Sequence, residues 1–248
     1  MTDLPILILV AVTFLLAGGV KGVIGLGLPT VSLAVLTATI GLQPAMALLL
    51  IPSFVTNLWQ AVVGGNFIVI LKRTWLFLLM ATVTVWLGGL VLVAADVSWL
   101  SALLGALLVT YSLLSLTRPT VALPPAWESW AGPLTGIING VLTGMTGSFV
   151  MPGVLYLQAI GLPRDMLIQA MGMLFTASTV ALGVSLGGHD LLSAELGTIS
   201  VVSVIPAIIG MVLGQKLRQR LSEAKFRRVF FISILILGLY IIVRSLIA

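Results

Sequence analysis

Residues 18–29 read GGVKGVIGLGLP, which sets a single lysine, Lys21, among five glycines inside a long apolar stretch. Glycines let a helix break, and a broken helix exposes backbone N–H groups carrying partial positive charge. A full positive charge beside such groups makes an anion site. An ionisable side chain within a membrane segment is costly and reads first as functional. The competing reading is a lysine that snorkels to the headgroups. The contributors expected here are Lys21 for charge, with Gly22, Gly25 and Gly27 for backbone approach.

The second half of the chain holds a counterpart. Gly132, Gly136, Gly140 and Gly144 recur every four residues, a stripe that lets another backbone come close. Thr135, Asn139 and Thr143 run beside it, and the stripe ends in TGMTGS (143–148), followed by Met151, Pro152 and Gly153. Asn139, Thr143, Thr146 and Ser148 offer donors there, with backbone N–H groups near Gly140, Gly144 and Gly147. Further along the chain, GVIGLGLP…GLQPAM echoes GVLTGMTGSFVMPG…GLPRDM. The echo matches Gly22 with Gly140, Gly41 with Gly161 and, by the same spacing, Lys21 with Asn139. Packing alone accounts for a glycine stripe. Non-helical backbone in a membrane is tolerated only where it is buried in protein or lines a wet cavity. Two such breaks at matched positions point to a transporter binding site.

Other polar residues inside apolar segments are few. Asn57 and Gln60 share one segment, and Gln169 and Thr176 share its counterpart. They either complete a site or bond a neighbouring helix. His189, next to Asp190, is expected in solvent, and Arg244 is expected to snorkel at a segment end. Trp59, Trp75, Trp99, Trp127 and Trp130 lie near segment ends, as an interfacial belt would. All seven acidic residues fall at ends or in loops. That removes an intramembrane carboxylate relay and favours an anionic partner over a cation. There is no cysteine, no HExxH, no GxSxG, no P-loop and no kinase pattern. No catalytic residue, cofactor or metal site is expected, and the chain does not read as an enzyme.

The elements that must position these residues follow from composition. Of 248 residues, 60% are hydrophobic and 8% charged, and the charges cluster between apolar runs of up to about 20 residues. The reading is an all-α polytopic membrane protein. A β-barrel would alternate apolar and polar residues. The net charge of +5 does not imply nucleic acid, because half of the twelve Lys and Arg fall between Lys216 and Arg228. Such a cluster marks the inner face of a membrane. The first stretch lacks the basic n-region of a cleaved signal and is read as a membrane segment.

Ten segments are expected, at 4–20, 28–41, 44–64, 74–95, 98–117, 130–147, 148–160, 166–187, 195–215 and 228–247. Setting the loop 215–228 inside also puts Lys72, Arg73, Arg118 and Arg164 inside and both termini outside. Each half is a helix pair followed by three longer segments. The expected architecture is therefore two inverted repeats of about five segments, over 1–120 and 121–248, within one membrane domain. The second member of each pair is short, so the pair is either re-entrant or a tilted span.

The segments GGVKGVIGLGLPTVSLAVL…GLQPAMA and GIINGVLTGMTGSFVMPGVLYLQAIGLPRDM resemble the sulfite exporter TauE/SafE family of membrane permeases, and the resemblance runs over essentially the whole chain. It implies transport of a small sulfur-containing anion such as sulfite, sulfoacetate or another organosulfonate. Gly22, Gly25, Gly140 and Gly144 are the positions carried over from it, and Lys21 is not tied to a family motif. The expected function is a permease in the cell inner membrane working by alternating access. Its partners are a small anion and the lipid bilayer, with no nucleic acid. A homodimer is the candidate assembly, and the oligomeric state stays open. An anion channel or a non-transporting scaffold subunit are the alternatives.

Overall fold

The computed structural model describes residues 3–117, 122–218 and 222–247. Arg118, Arg220 and the boundary expected between residues 120 and 121 lie outside the described residues. Every regular element among the described residues is helical. In chain order these are α1 (Leu4–Ile24), α2 (Leu28–Ile40), α3 (Leu42–Val62), α4 (Phe67–Val83), α5 (Val85–Ala94) and α6 (Val97–Thr117). A short 3₁₀ turn, Pro125–Trp127, leads into α7 (Glu128–Thr146). Then follow α8 (Gly153–Ala159), α9 (Arg164–Gly188), α10 (Ala194–Val202), α11 (Val204–Arg218) and α12 (Glu223–Ile247). Seven stretches among the described residues are long and apolar enough to cross a membrane, with α4–α5 and α10–α11 each making one interrupted span.

The ten expected segments all appear, with three shifts, one of which starts α12 at Glu223 rather than 228 and makes Lys225, Arg227 and Arg228 helical rather than loop residues. Helix α4 starts at Phe67, so Lys72 and Arg73 are helical rather than in a loop. Gly64 and Gly65 take positive φ, and Asn66 Nδ2 donates to Gly64 C=O at 2.8 Å, so a tight turn delivers the chain straight into the helix. Arg73 then reaches Glu128 in a two-pronged pair at 3.0 and 2.7 Å and donates to Ile160 C=O at 2.7 Å. Helix α8 is only seven residues, beginning at Gly153 rather than 148. At ~1.5 Å per residue it spans about 10 Å, too short for a ~30 Å hydrocarbon core, and α2 reaches only about 20 Å.

The helices gather into two packing groups. One holds α1, α2, α3 as far as Pro52, α6, α10, α11 and α12. The other holds α3 from Ser53 onward, α4, α5, α7, α8 and α9. Each group draws on both halves of the sequence.

Each group is built on one glycine crossing. In the first, α1 lies against α11. A methyl added at Gly18 would sit 2.1 Å from Ala207 C=O, and one at Gly22 would sit 2.2 Å from Met211 C=O. From the other side, Gly210 would meet Leu15 C=O at 2.0 Å and Gly214 would meet Gly19 C=O at 2.1 Å. In the second group α7 lies against α4 and α5. Gly140 would meet Ala81 C=O at 2.7 Å, Gly144 would meet Val85 C=O at 2.1 Å, and Gly88 would meet Val141 C=O at 2.1 Å. The remaining contact is a hydrogen bond, Thr84 Oγ1 to Ile137 C=O at 3.1 Å. The register recurs without a slip. Leu15, Gly18, Gly19 and Gly22 correspond to Ile137, Gly140, Val141 and Gly144, each 122 positions later. Their partners Ala207, Gly210, Met211 and Gly214 correspond to Ala81, Thr84, Val85 and Gly88, each 126 positions earlier.

Pro52 inside α3 removes the N–H that would serve Leu48 C=O. Ser200 of α10 supplies it, donating from Oγ to Leu48 C=O at 2.8 Å while accepting from Ile51 N–H at 3.2 Å. An apolar replacement leaves a carbonyl orphaned where no water replaces the bond. Ser200→Ala is therefore expected to cost about 1–3 kcal/mol, read as a lower melting temperature in detergent, with Ser200→Thr close to wild type.

Candidate functional site

The first break ends α1. Gly25 adopts φ 78° and its N–H bonds Lys21 C=O at 2.8 Å, a left-handed cap that only glycine takes cheaply. Gly27 follows at φ 112°, and a side chain there would also press on Val20 at 2.9 Å. Helix α2 starts at once, with Pro29 at its second position. Its first ladder bond runs from Val31 N–H to Gly27 C=O at 2.8 Å. The amides of Leu28 and Thr30 thus precede the ladder, at the positive end of the helix.

Lys21 lies one turn before the break and is 5% exposed. A snorkelling lysine would keep its tip at the surface of the protein, and this one does not. Thr30, in the first turn of α2, is 4% exposed, and its hydroxyl has no hydrogen-bond partner among the described residues. No Asp or Glu occurs between Asp3 and Asp96. The first break therefore brings together a buried lysine, the free amides that open α2 and a buried hydroxyl.

The second break ends α7 in the same way. Gly147 takes φ 73° and bonds Thr143 C=O at 2.7 Å. Aligning the two caps, Gly25 with Gly147, gives the 122-residue spacing of the glycine crossings. It sets Lys21 against Thr143 and Gly22 against Gly144. The pairings expected from the sequence echo, Lys21 with Asn139 and Gly22 with Gly140, are one helical turn off. The echo aligned the sequence motifs, whereas the caps fix where each helix stops.

The expected donors of the second break are largely turned inward. Thr143 Oγ1 donates to Ser148 C=O at 3.0 Å, and Thr146 Oγ1 donates to Leu142 C=O at 2.7 Å. Ser148 N–H reaches Thr146 Oγ1 at 3.3 Å. Asn139 is fully buried and accepts from Gly153 N–H at 2.8 Å, so it holds the start of α8. Its Nδ2 has no partner among the described residues. Asn139 Nδ2 and the Ser148 hydroxyl, on a residue 6% exposed, are what this break can still offer a ligand.

The more distant candidates divide. Asn57 is fully buried on α3. Gln169 engages both ends of its amide with backbone, accepting from Asn66 N–H at 3.1 Å and donating to Ala61 C=O at 2.9 Å. Gln60 returns the tie, donating to Ile168 C=O at 2.7 Å. These two glutamines lock α3 to α9. His189 is not simply solvated: its Nδ1 lies 2.6 Å from Ser185 C=O and its ring lies against Trp86 at 4.9 Å. Arg244 donates to Ala38 C=O near the end of α2. The expected site omits Thr30 and names Gly153 without its bond to Asn139. Thr30 was readable, as the hydroxyl directly after GLGLP; the Gly153–Asn139 bond closes a loop that spacing does not reveal.

Asn139→Leu strands the Gly153 amide and is expected to lower stability by about 1–3 kcal/mol. Asn139→Asp keeps the acceptor and is expected to remain folded, and thermal unfolding in detergent separates the two.

A family model described as sulfite exporter TauE/SafE matches residues 10–241. No curated protein and no solved structure matches the chain.

Proposed function

This chain belongs to the sulfite exporter TauE/SafE family of membrane transporters, and we propose that its cargo is a small sulfur oxyanion, sulfite or an organosulfonate such as sulfoacetate. The observation that carries this is Lys21, buried one turn before the Gly25–Gly27 break at which α2 begins, with the buried Thr30 hydroxyl, unpartnered among the described residues, in the first turn of that helix. A tetrahedral or pyramidal oxyanion has several acceptor oxygens. Lys21 neutralises its charge, and the Leu28 and Thr30 amides and the Thr30 hydroxyl supply directed donors. Asn139 Nδ2 and Ser148 are the counterpart donors of the second break. Thr143, Thr146, Gly140, Gly144 and Gly147 shape that break, and Gln169 holds the helices around it. Asn57 is kept as a polar wall.

The recurring glycine register supports a duplicated build, and the charge bias of the sequence supports inversion of the two copies. Inverted repeats in secondary transporters alternate access by rocking against one another, and that is the mechanism we assign. Lys72, Arg73, Arg164 and the 215–228 loop belong on the inner side of the cell inner membrane, with both termini outside.

Flux of sulfite and of sulfoacetate into proteoliposomes tests the reading. A charged hydrogen bond of about 1.5–3 kcal/mol corresponds to a loss of about 10- to 100-fold for Lys21→Ala. Lys21→Arg, which keeps the charge, is expected to retain part of the flux. Equal flux in wild type and Lys21→Ala, with both proteins folded, would remove the anion from the first break.

A further inference from the structure

A polar cavity lies at the same end of the first packing group as the Gly25–Gly27 break: Phe230, whose ring faces Gly27, stands against Phe231 of the cavity wall, with ring centres 4.9 Å apart. The last turn of α6 and the first turns of α12 enclose about 420 Å³, lined by Ser115, Leu116, Arg227, Arg228, Phe231 and Ile232. Arg227 is half-buried, and its guanidinium carbon stands 5.5 Å from the centre of the Phe231 ring. That ring is itself buried and fixed by an edge contact with Tyr111 at 5.3 Å. Arg227 is thereby held in place rather than swinging in solvent. Arg228 is exposed at the mouth, and Ser115 is buried at the back.

We propose that this cavity binds the phosphate headgroup of an anionic membrane phospholipid. Two guanidiniums on adjacent residues suit a phosphate, which takes several charge-assisted hydrogen bonds. The rest of the wall decides between a lipid and a free anion. Leu116 and Ile232 present apolar surface beside the cations, and Ile232 is 40% exposed. An inorganic ion has no use for such a surface, whereas glycerol and the first methylenes of an acyl chain cover it. The location agrees. The cavity opens beside the basic stretch from Lys216 to Arg228, where six of the chain's twelve cations gather. Basic pockets between membrane helices on that face take lipid headgroups. The occupant would lie across the α6–α12 contact and brace it. This inference is independent of the cargo proposed above.

The test is native mass spectrometry of the full chain released from nanodiscs, with phosphatidylglycerol or phosphatidylcholine added in a titration. Wild type is compared with the double variant Arg227→Gln, Arg228→Gln and with Lys225→Gln, a cation that does not line the cavity. Phosphatidylglycerol is expected to be retained by wild type and by Lys225→Gln and weakened about 30-fold in the double variant, at about a factor of five per arginine. Phosphatidylcholine and millimolar inorganic phosphate are expected neither to be retained nor to displace phosphatidylglycerol. Retention unchanged in the double variant would overturn the proposal. So would equal retention of phosphatidylcholine, or displacement by inorganic phosphate, which would make the cavity a free-anion site. If the double variant unfolds, Arg228→Gln alone, at the exposed mouth, gives the same comparison with a smaller expected loss.

Discussion

Everything near the two breaks hangs on backbone crossing backbone at glycine. In lipid there is no hydrophobic drive between helices, so association depends on how closely they approach. At Gly22 and Gly144 one added carbon would lie 2.2 and 2.1 Å from a facing carbonyl. Each of these residues stands three positions before a left-handed cap, at Gly25 and Gly147. The tightest point of each crossing therefore pins the last turn before the chain leaves the helix. Non-helical backbone in a membrane must be buried in protein or line a cavity, and the crossings hold it there. The crossings also join sequence-distant segments, α1 to α11 and α7 to α4–α5. Neither break is secured by its own half of the chain alone.

With the same cap, the two breaks have diverged in chemistry. Where the first has Lys21, the second has Thr143, whose hydroxyl turns back to Ser148 C=O. Thr146, Ser148 and Asn139 add further local bonds around Gly147 and Gly153, with Asn139 Nδ2 left without a partner among the described residues. The first break has a buried lysine and, at Thr30, a hydroxyl unpartnered among the described residues. On the proposed reading the first break is the one that meets the ligand's charge.

Much of this was legible beforehand. Apolar run length placed most segments to within a few residues, whereas α4, α8 and α12 start five to seven residues from where hydropathy puts them, because a turn, a break or a basic stretch sets those ends. Glycine in a polar-poor stretch marked both caps correctly. Three things were not legible. The α7–α8 join looked like a near-continuous segment, since residues 148–152 are as apolar as a helix; only their backbone departs from one. The pairing of Lys21 with Thr143 was hidden because the sequence echo and the caps differ by one turn. The repair of Pro52 by Ser200 spans 148 positions, and nothing local in either residue announces it. Likewise Gln169 looked like a ligand from its type alone, yet its amide is engaged by Ala61 and Asn66. Polar residues in apolar segments announce that a partner exists, and the sequence does not say whether that partner is a ligand or a neighbouring backbone.

The most direct measurement uses the absence of cysteine from the chain. Thr30→Cys places one thiol in the first turn of α2, beside the Gly25–Gly27 break. Its reaction rates with 2-sulfonatoethyl methanethiosulfonate and with the trimethylammonium analogue can be compared, with and without sulfoacetate. A buried positive anion site predicts that the sulfonate reagent reacts faster than the cationic one and that sulfoacetate slows it. A thiol that reacts equally with both reagents and ignores sulfoacetate, or that never reacts in a folded protein, would contradict the account.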